Sequence, residues 1–244
     1  SNIIGQKVND PAAMVLADNL GLPVSGGSHV DAMAGAELLL GMRRAPTPAS
    51  SSLYVYARET VGFALVIGGR VHTPASGPGT IAGLPVSSEL LGGSGRLEST
   101  VSDEAVLAAA RNRRIVPDSG PGASMQALLR VARQGDQPAA VSARELLTER
   151  AHVLGGAVAL LRDMLNPDDL VVGGQAFTEY PEGLRHVESA FAERSILPAR
   201  DLRVTTFGNR VQEAGAGIVS LGGLYANPIN ALRRTQVGGP AAAV

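Results

Sequence analysis

Asn166-Pro167-Asp168-Asp169-Leu170-Val171-Val172-Gly173-Gly174 is the stretch on which the fold turns. Leu170-Val171-Val172 is a short apolar run rich in β-branched residues, the composition of a strand buried on both faces, and the two glycines after it predict a tight turn. Upstream, Ser142-Ala143-Arg144-Glu145 reads as a capping box that opens the longest helix, ending near Leu165. Downstream, a helix is expected over about Pro181 to Glu193, a strand over Leu202 to Thr206, and an Ala/Gly-rich helix over Glu213 to Tyr225. Helices alternating with strands in this way indicate an α/β layered fold.

Further toward the N-terminus the apolar period changes to two. Leu53, Val55, Phe63 to Ile67 and Arg70 to His72 predict a β-hairpin turning at Gly68-Gly69, so the sheet is mixed and has flanking helices. Residues 74–96 are crowded with glycine and proline and predict a long loop. Ser102, followed by Asp103 and Glu104, predicts a capped helix to Ala110, and Ala123 to Arg133 another. Asp10-Pro11 predicts a helix start, closed by Gly21; Leu22-Pro23-Val24 is a strand candidate, and a second helix is expected from near Asp31 to Met42. Arg43 to Ser52, with two prolines and three serines, reads as a linker. It divides residues 1–48, the remainder of a smaller lobe, from a larger lobe at 49–234, with 235–244 a flexible tail.

Composition narrows the function classes. The 244 residues are 45% hydrophobic and 18% charged, with no apolar run long enough to span a membrane, so a soluble, cytoplasmic protein is expected. The absence of cysteine excludes disulfides, thiolate zinc sites, iron–sulfur clusters and a cysteine nucleophile. A formal charge of −1 supplies no basic field for a nucleic-acid backbone, so no direct DNA contact is expected of this chain alone. Lys7 is the only lysine, which leaves amine chemistry a single candidate. The opening Ser1-Asn2 reads as a cloning remnant, with further natural sequence expected ahead of Ile3.

The order of hairpin, glycine-rich loop, Gly92-Gly93-Ser94-Gly95-Arg96-Leu97-Glu98, long helix, Asn166 to Gly174, and Gly215-Ala216-Gly217 resembles the ROK family of bacterial sugar kinases and sugar-responsive repressors. Phe63 to Arg70, and Leu22-Pro23-Val24 leading to Ala32-Met33-Ala34, extend the resemblance over most of the chain. It implies the actin-like ATPase (ribonuclease H-like) fold, with the first lobe truncated at its N-terminus. The phosphate loop of that fold and the winged helix-turn-helix of family regulators are both expected upstream.

The resemblance also implies where chemistry should lie, and the residues there differ. The family's sugar-activating Asn-Asp pair falls on Ser28-His29, so the expected base is absent. Asp31, two positions on, reads as a helix cap, with a shifted base as the alternative. The family's glycine-rich phosphate turn falls on Arg58-Glu59-Thr60-Val61-Gly62, where Glu59 would repel a phosphate, and Gln175 follows Gly173-Gly174 where a third glycine is usual. The zinc-binding cysteine positions fall on Glu89, Leu91 and Arg96, and the family's Glu-x-Gly-His on Thr80-Ile81-Ala82-Gly83, so no metal site is expected. His29, His72, His152 and His186 show no metal spacing. Glu98 is the one retained sugar-contacting position; it reads equally as a polyol contact and as an exposed acid ahead of the Ser102 cap.

Three readings of function follow. The first is a non-catalytic effector-sensing and dimerisation region of a regulator: a homodimer with no cofactor, holding a small polar ligand such as a sugar against Ser28, His29 and Glu98. The second is an atypical sugar kinase with Asp31 as base. The third is a dimerisation module with no ligand.

Overall fold

The computed structural model describes residues 11–22, 24, 26–41, 50–74, 79–198, 201–226 and 229. Five strands form one sheet: β1 (Ser51–Ala57), β2 (Val61–Ile67), β3 (Arg70–His72), β4 (Asp169–Gly173) and β5 (Arg203–Val204), in the order β3-β2-β1-β4-β5. The hairpin β1-β2-β3 is antiparallel, whereas β4 lies parallel to β1 and β5 parallel to β4. The expected mixed sheet is therefore present, and the parallel half is entered from a long helix as the alternation required.

Side chains alternate across this sheet and so divide the interior in two. Leu53, Val55, Leu170 and Val172 face a large core. It is closed by α3 (Leu97–Val101), α4 (Asp103–Asn112), α5 (Met125–Ala132), α6 (Pro138–Leu165) and α8 (Pro181–Arg194). Tyr54, Tyr56 and Val171 face a smaller core with residues of α2 (His29–Leu40) and α9 (Val211–Ala226). Two further helices are α1 (Pro11–Leu20), which buries none of its residues, and the single-turn α7 (Gln175–Thr178). Among the described residues no helix is long and apolar enough to cross a membrane.

Several local expectations give way to tertiary context. The long helix begins at Pro138, where the missing N–H of proline is harmless, and so carries Ser142 and Glu145 inside it rather than at its cap. Asn166 ends it in the left-handed conformation at φ 41°. Ser51 and Ser52 belong to β1 and not to a linker, because the Ser51 N–H and hydroxyl both donate to the Asp168 carboxylate, at 2.8 and 3.1 Å, just ahead of β4. Leu22 is exposed and neither it nor Val24 joins a strand. β5 is shorter than expected, although Thr205 N–H still reaches Val172 carbonyl at 2.8 Å. The short helices α3 and α7 were not foreseen. Met42, most of the expected linker, Lys7 and the 235–244 tail lie outside the described residues.

Two buried charged clusters tie these layers together. Arg150 on α6 donates to Asp103 at 2.6 Å and to the Val101 carbonyl at 2.8 Å, fastening α6 to α3 and α4. Glu37 on α2 accepts from Arg203, and from Thr205 Oγ1 at 2.9 Å and Thr206 N–H at 3.2 Å, fastening α2 to the β5 edge.

Candidate functional site

β1 and β4 run side by side in the same direction and end together at Ala57 and Gly173. The crevice beyond the carboxyl ends of parallel strands is where open α/β sheets hold ligands. Here it is a cleft of about 180 Å³, walled by Tyr56 and Arg58 from the end of β1, Gln175 and Glu179 from around α7, and Asn209 and Gln212 at the start of α9.

Gly174 of the Gly173-Gly174 turn lines it, and packing alone demands both glycines. A Cβ on Gly173 would occupy the space of the Tyr54 hydroxyl from the neighbouring strand. Gly174 sits at φ 92°, and a Cβ there would collide with the Ala57 carbonyl. The strand-then-glycine signal thus has a structural cause independent of any phosphate. Burial pushes the Tyr54 phenol up, so this hydroxyl stays protonated.

The cleft wall is a connected polar network. Gln212 Nε2 donates to the Tyr56 hydroxyl at 2.9 Å, and Gln212 Oε1 accepts from Arg58 at 3.4 Å. Arg58 is also paired with Glu59 at 3.0 Å. On the other side Glu179 accepts from the Gln175 amide, and from Asn209 Nδ2 at 2.8 Å, while Thr178 Oγ1 donates to Asn209 Oδ1 at 2.7 Å. Two carboxylates thus stand near one guanidinium, and the remaining groups are neutral amides and hydroxyls.

The residues singled out in the sequence gather at the neighbouring β1–β2 turn. Ser28 is the N-cap of α2: its hydroxyl accepts from the Asp31 N–H at 3.4 Å, and the residue is only 8% exposed. Asp31 is therefore not the cap; it is the third helical residue, 1% exposed. His29 is exposed, with Nε2 3.4 Å from Thr60 Oγ1 and its ring edge-on to Tyr56 at 5.4 Å between centroids. Partial burial lowers its pKa, with Glu59 opposing, which favours a neutral imidazole able to donate and to accept. Glu98, half-buried on α3, accepts the Val61 N–H at 3.0 Å through Oε2 and so latches α3 to the start of β2.

Hydroxyl groups pin the loop at the expected zinc-cluster positions. Ser88 Oγ accepts from Leu91 N–H at 3.1 Å, the Ser94 and Ser99 hydroxyls lie 2.8 Å apart, and Thr100 Oγ1 donates to the Arg96 carbonyl at 2.9 Å. Leu91 is buried in the larger core. Among the described residues no group of three or more His, Cys, Asp or Glu is placed to hold a metal.

None of Ser28, His29 and Glu98 lines the cleft itself, whereas Arg58, Gly174 and Gln175 do. Arg58 was noted only as part of a departed phosphate turn, and Glu179, Asn209 and Gln212 carried no signal, since single polar residues beside helix ends are ordinary. The shared member is Tyr56, whose ring meets His29 and whose hydroxyl meets the cleft.

The profile of the ROK family matches residues 4–219. A Mycobacterium tuberculosis protein named as a transcriptional regulator is 69% identical over 232 residues, covering 92% of this chain and 52% of that protein. The chain therefore spans about half the length of the curated relatives it matches. Among solved structures, a ROK hexokinase from Thermus thermophilus is 26% identical with a TM-score of 0.67, over 86% of this chain and 71% of that one. A ROK transcriptional regulator described as a homolog of the E. coli MLC protein aligns at 21% identity and a TM-score of 0.60, over 86% of this chain and 57% of that one, and shares the fold.

Proposed function

Because this chain belongs to the ROK family, we propose that it is the non-catalytic effector-sensing and dimerisation region of a cytoplasmic transcriptional regulator. DNA is read by a helix-turn-helix in a segment outside this chain. The names of the curated relatives, each called a transcriptional regulator, support a regulatory role. The observation that carries the non-catalytic part is the start of α2. Ser28-His29 stands where the family's proton acceptor is expected, the Ser28 hydroxyl is taken up as the cap, and the adjacent carboxylate, Asp31, is 1% exposed. A general base must come within hydrogen-bond reach of the proton it removes, and its loss lowers rates by about 10²–10⁴.

In this mechanism a small polar ligand that prefers one arrangement of lobes or subunits shifts the population toward it and so alters the spacing of paired DNA-binding domains. Two-fold half-sites call for a homodimer. His29, the exposed residue at the start of α2, meets Tyr56 edge-on and links the ligand's site to α2; Ser28 and Glu98 hold this turn in shape through their backbone partners.

The test is turnover. With ATP, Mg²⁺ and a panel of hexoses, the chain is expected to release no sugar phosphate above the buffer rate. Phosphorylation abolished by Asp31→Asn would overturn the proposal in favour of an atypical kinase using that carboxylate.

A further inference from the structure

We propose that the cleft beyond β1 and β4 is the effector's seat, and that it takes one small uncharged molecule rich in hydroxyl or amide groups while rejecting phosphorylated ones. The inference rests on the effector-sensing reading above and moves the ligand from the Ser28, His29 and Glu98 wall to the other side of Tyr56.

Size comes first. The cleft offers about 180 Å³, room for one small molecule. That is the scale of a six-carbon polyol or a small amide, whereas sites for larger ligands run from about 300 Å³ upward. Charge comes second. Arg58 is the one cation named in the wall, and it is paired with Glu59 at 3.0 Å. Glu179 adds a second carboxylate. The lining charges Arg58 and Glu179 cancel, and the guanidinium a phosphate ester would need is already engaged by Glu59 and Gln212, so the wall offers such an ester no net attraction.

Hydrogen-bonding character comes third. Each Glu179 oxygen accepts one amide N–H, from Gln175 or from Asn209, and retains capacity for a further donor. Gln212 is held between the Tyr56 hydroxyl and Arg58. These are pre-oriented neutral dipoles around a fixed carboxylate, the arrangement that satisfies ligand hydroxyls or amides without demanding a charge. Occupancy also has a route outward: a ligand that draws on Gln212 acts on Tyr56, whose ring contacts His29 at the first turn of α2.

The experiment is a titration of the ¹⁵N-labelled chain with D-glucose, myo-inositol and N-acetylglucosamine, each followed by amide shifts, and with glucose 6-phosphate in parallel. At least one neutral probe is expected to move the signals of Gly174, Gln175, Gly208 and Asn209. Gln212→Leu and Asn209→Ala, both at exposed positions, should each weaken that binding by about tenfold with the remaining spectrum unchanged. Glucose 6-phosphate should leave the signals in place for the natural chain and gain binding in Glu179→Gln. Cleft signals unmoved by every neutral probe, equal binding of the phosphate ester, or unchanged affinity in both variants overturns the inference. Shifts confined to residues 28–29 and 98 overturn it too, yet leave the effector-sensing reading standing; hexose phosphorylation by the chain is the separate result that removes that reading itself.

Discussion

A hydroxyl, a carboxylate and a missing Cβ each gain a definite task once their neighbours are known. Ser28 caps α2 through a 3.4 Å bond to the Asp31 N–H, and Ser28→Ala is expected to lower unfolding free energy by about 1 kcal/mol. Urea denaturation measures it, and an unchanged midpoint would show that the hydroxyl is free for other work. At Gly173, adding a methyl group drives it into the Tyr54 hydroxyl. Gly173→Ala should therefore cost about 1–3 kcal/mol by overpacking, with no ligand present; a stability-neutral variant would return the glycine to a purely functional role. Arg150 is more severe. Its guanidinium is 4% exposed and bonded to Asp103 at 2.6 Å, so Arg150→Ala, which strands a largely buried carboxylate, is expected to cost about 3–5 kcal/mol by the same measurement. The sequence identified Ser28, Glu98 and the double glycine as noteworthy, but each carries a side chain or a lack of one that suits two roles. The Asp31 N–H, the Val61 N–H and the Tyr54 hydroxyl give each of them a structural partner.

At the level of elements, α6 and α8 show what sequence spacing conceals. His152 and His186 are 34 positions apart in the chain, and the packing of these helices brings their rings to 5.5 Å between centroids. Burial lowers the pKa of His186, and Arg185 and His152 push it the same way. The unfolded chain therefore binds the proton more readily than the folded one, so stability is fully present above the ordinary histidine pKa and falls as pH drops through it. Urea midpoints are expected to decline between pH 7.5 and 5.5, and His186→Gln should flatten that decline; equal slopes for the two proteins would dissociate the histidine pair from it. Element identity was largely legible, because apolar period and capping residues are local. Starts were less so. Ser142 and Glu145 form a valid capping box, yet Pro138 and the packing of Ala140 and Ala143, 1% and 0% exposed, extend the helix past it.

For the molecule as a whole, the two-core sheet is the unit that ties early and late segments together: α2 packs with α9 on one face, and Glu37 reaches Arg203 and Thr205. If this region dimerises as proposed, sedimentation equilibrium should return twice the chain mass of 25.0 kDa, with a concentration-dependent monomer; a lone monomer at every concentration would contradict it. The sequence by itself determined the alternation of strand and helix, the mixed sheet and the family likeness, since these follow from period, composition and residue identity in order along the chain. Tertiary structure alone decided that the double glycine answers to Tyr54 and Ala57, that Asp31 is buried, and that Arg58, Glu179, Asn209 and Gln212 share one cleft. Those facts depend on atoms brought together from segments more than a hundred residues apart, and a parallel pairing such as β1 with β4 leaves no local mark of which side chains it will make neighbours.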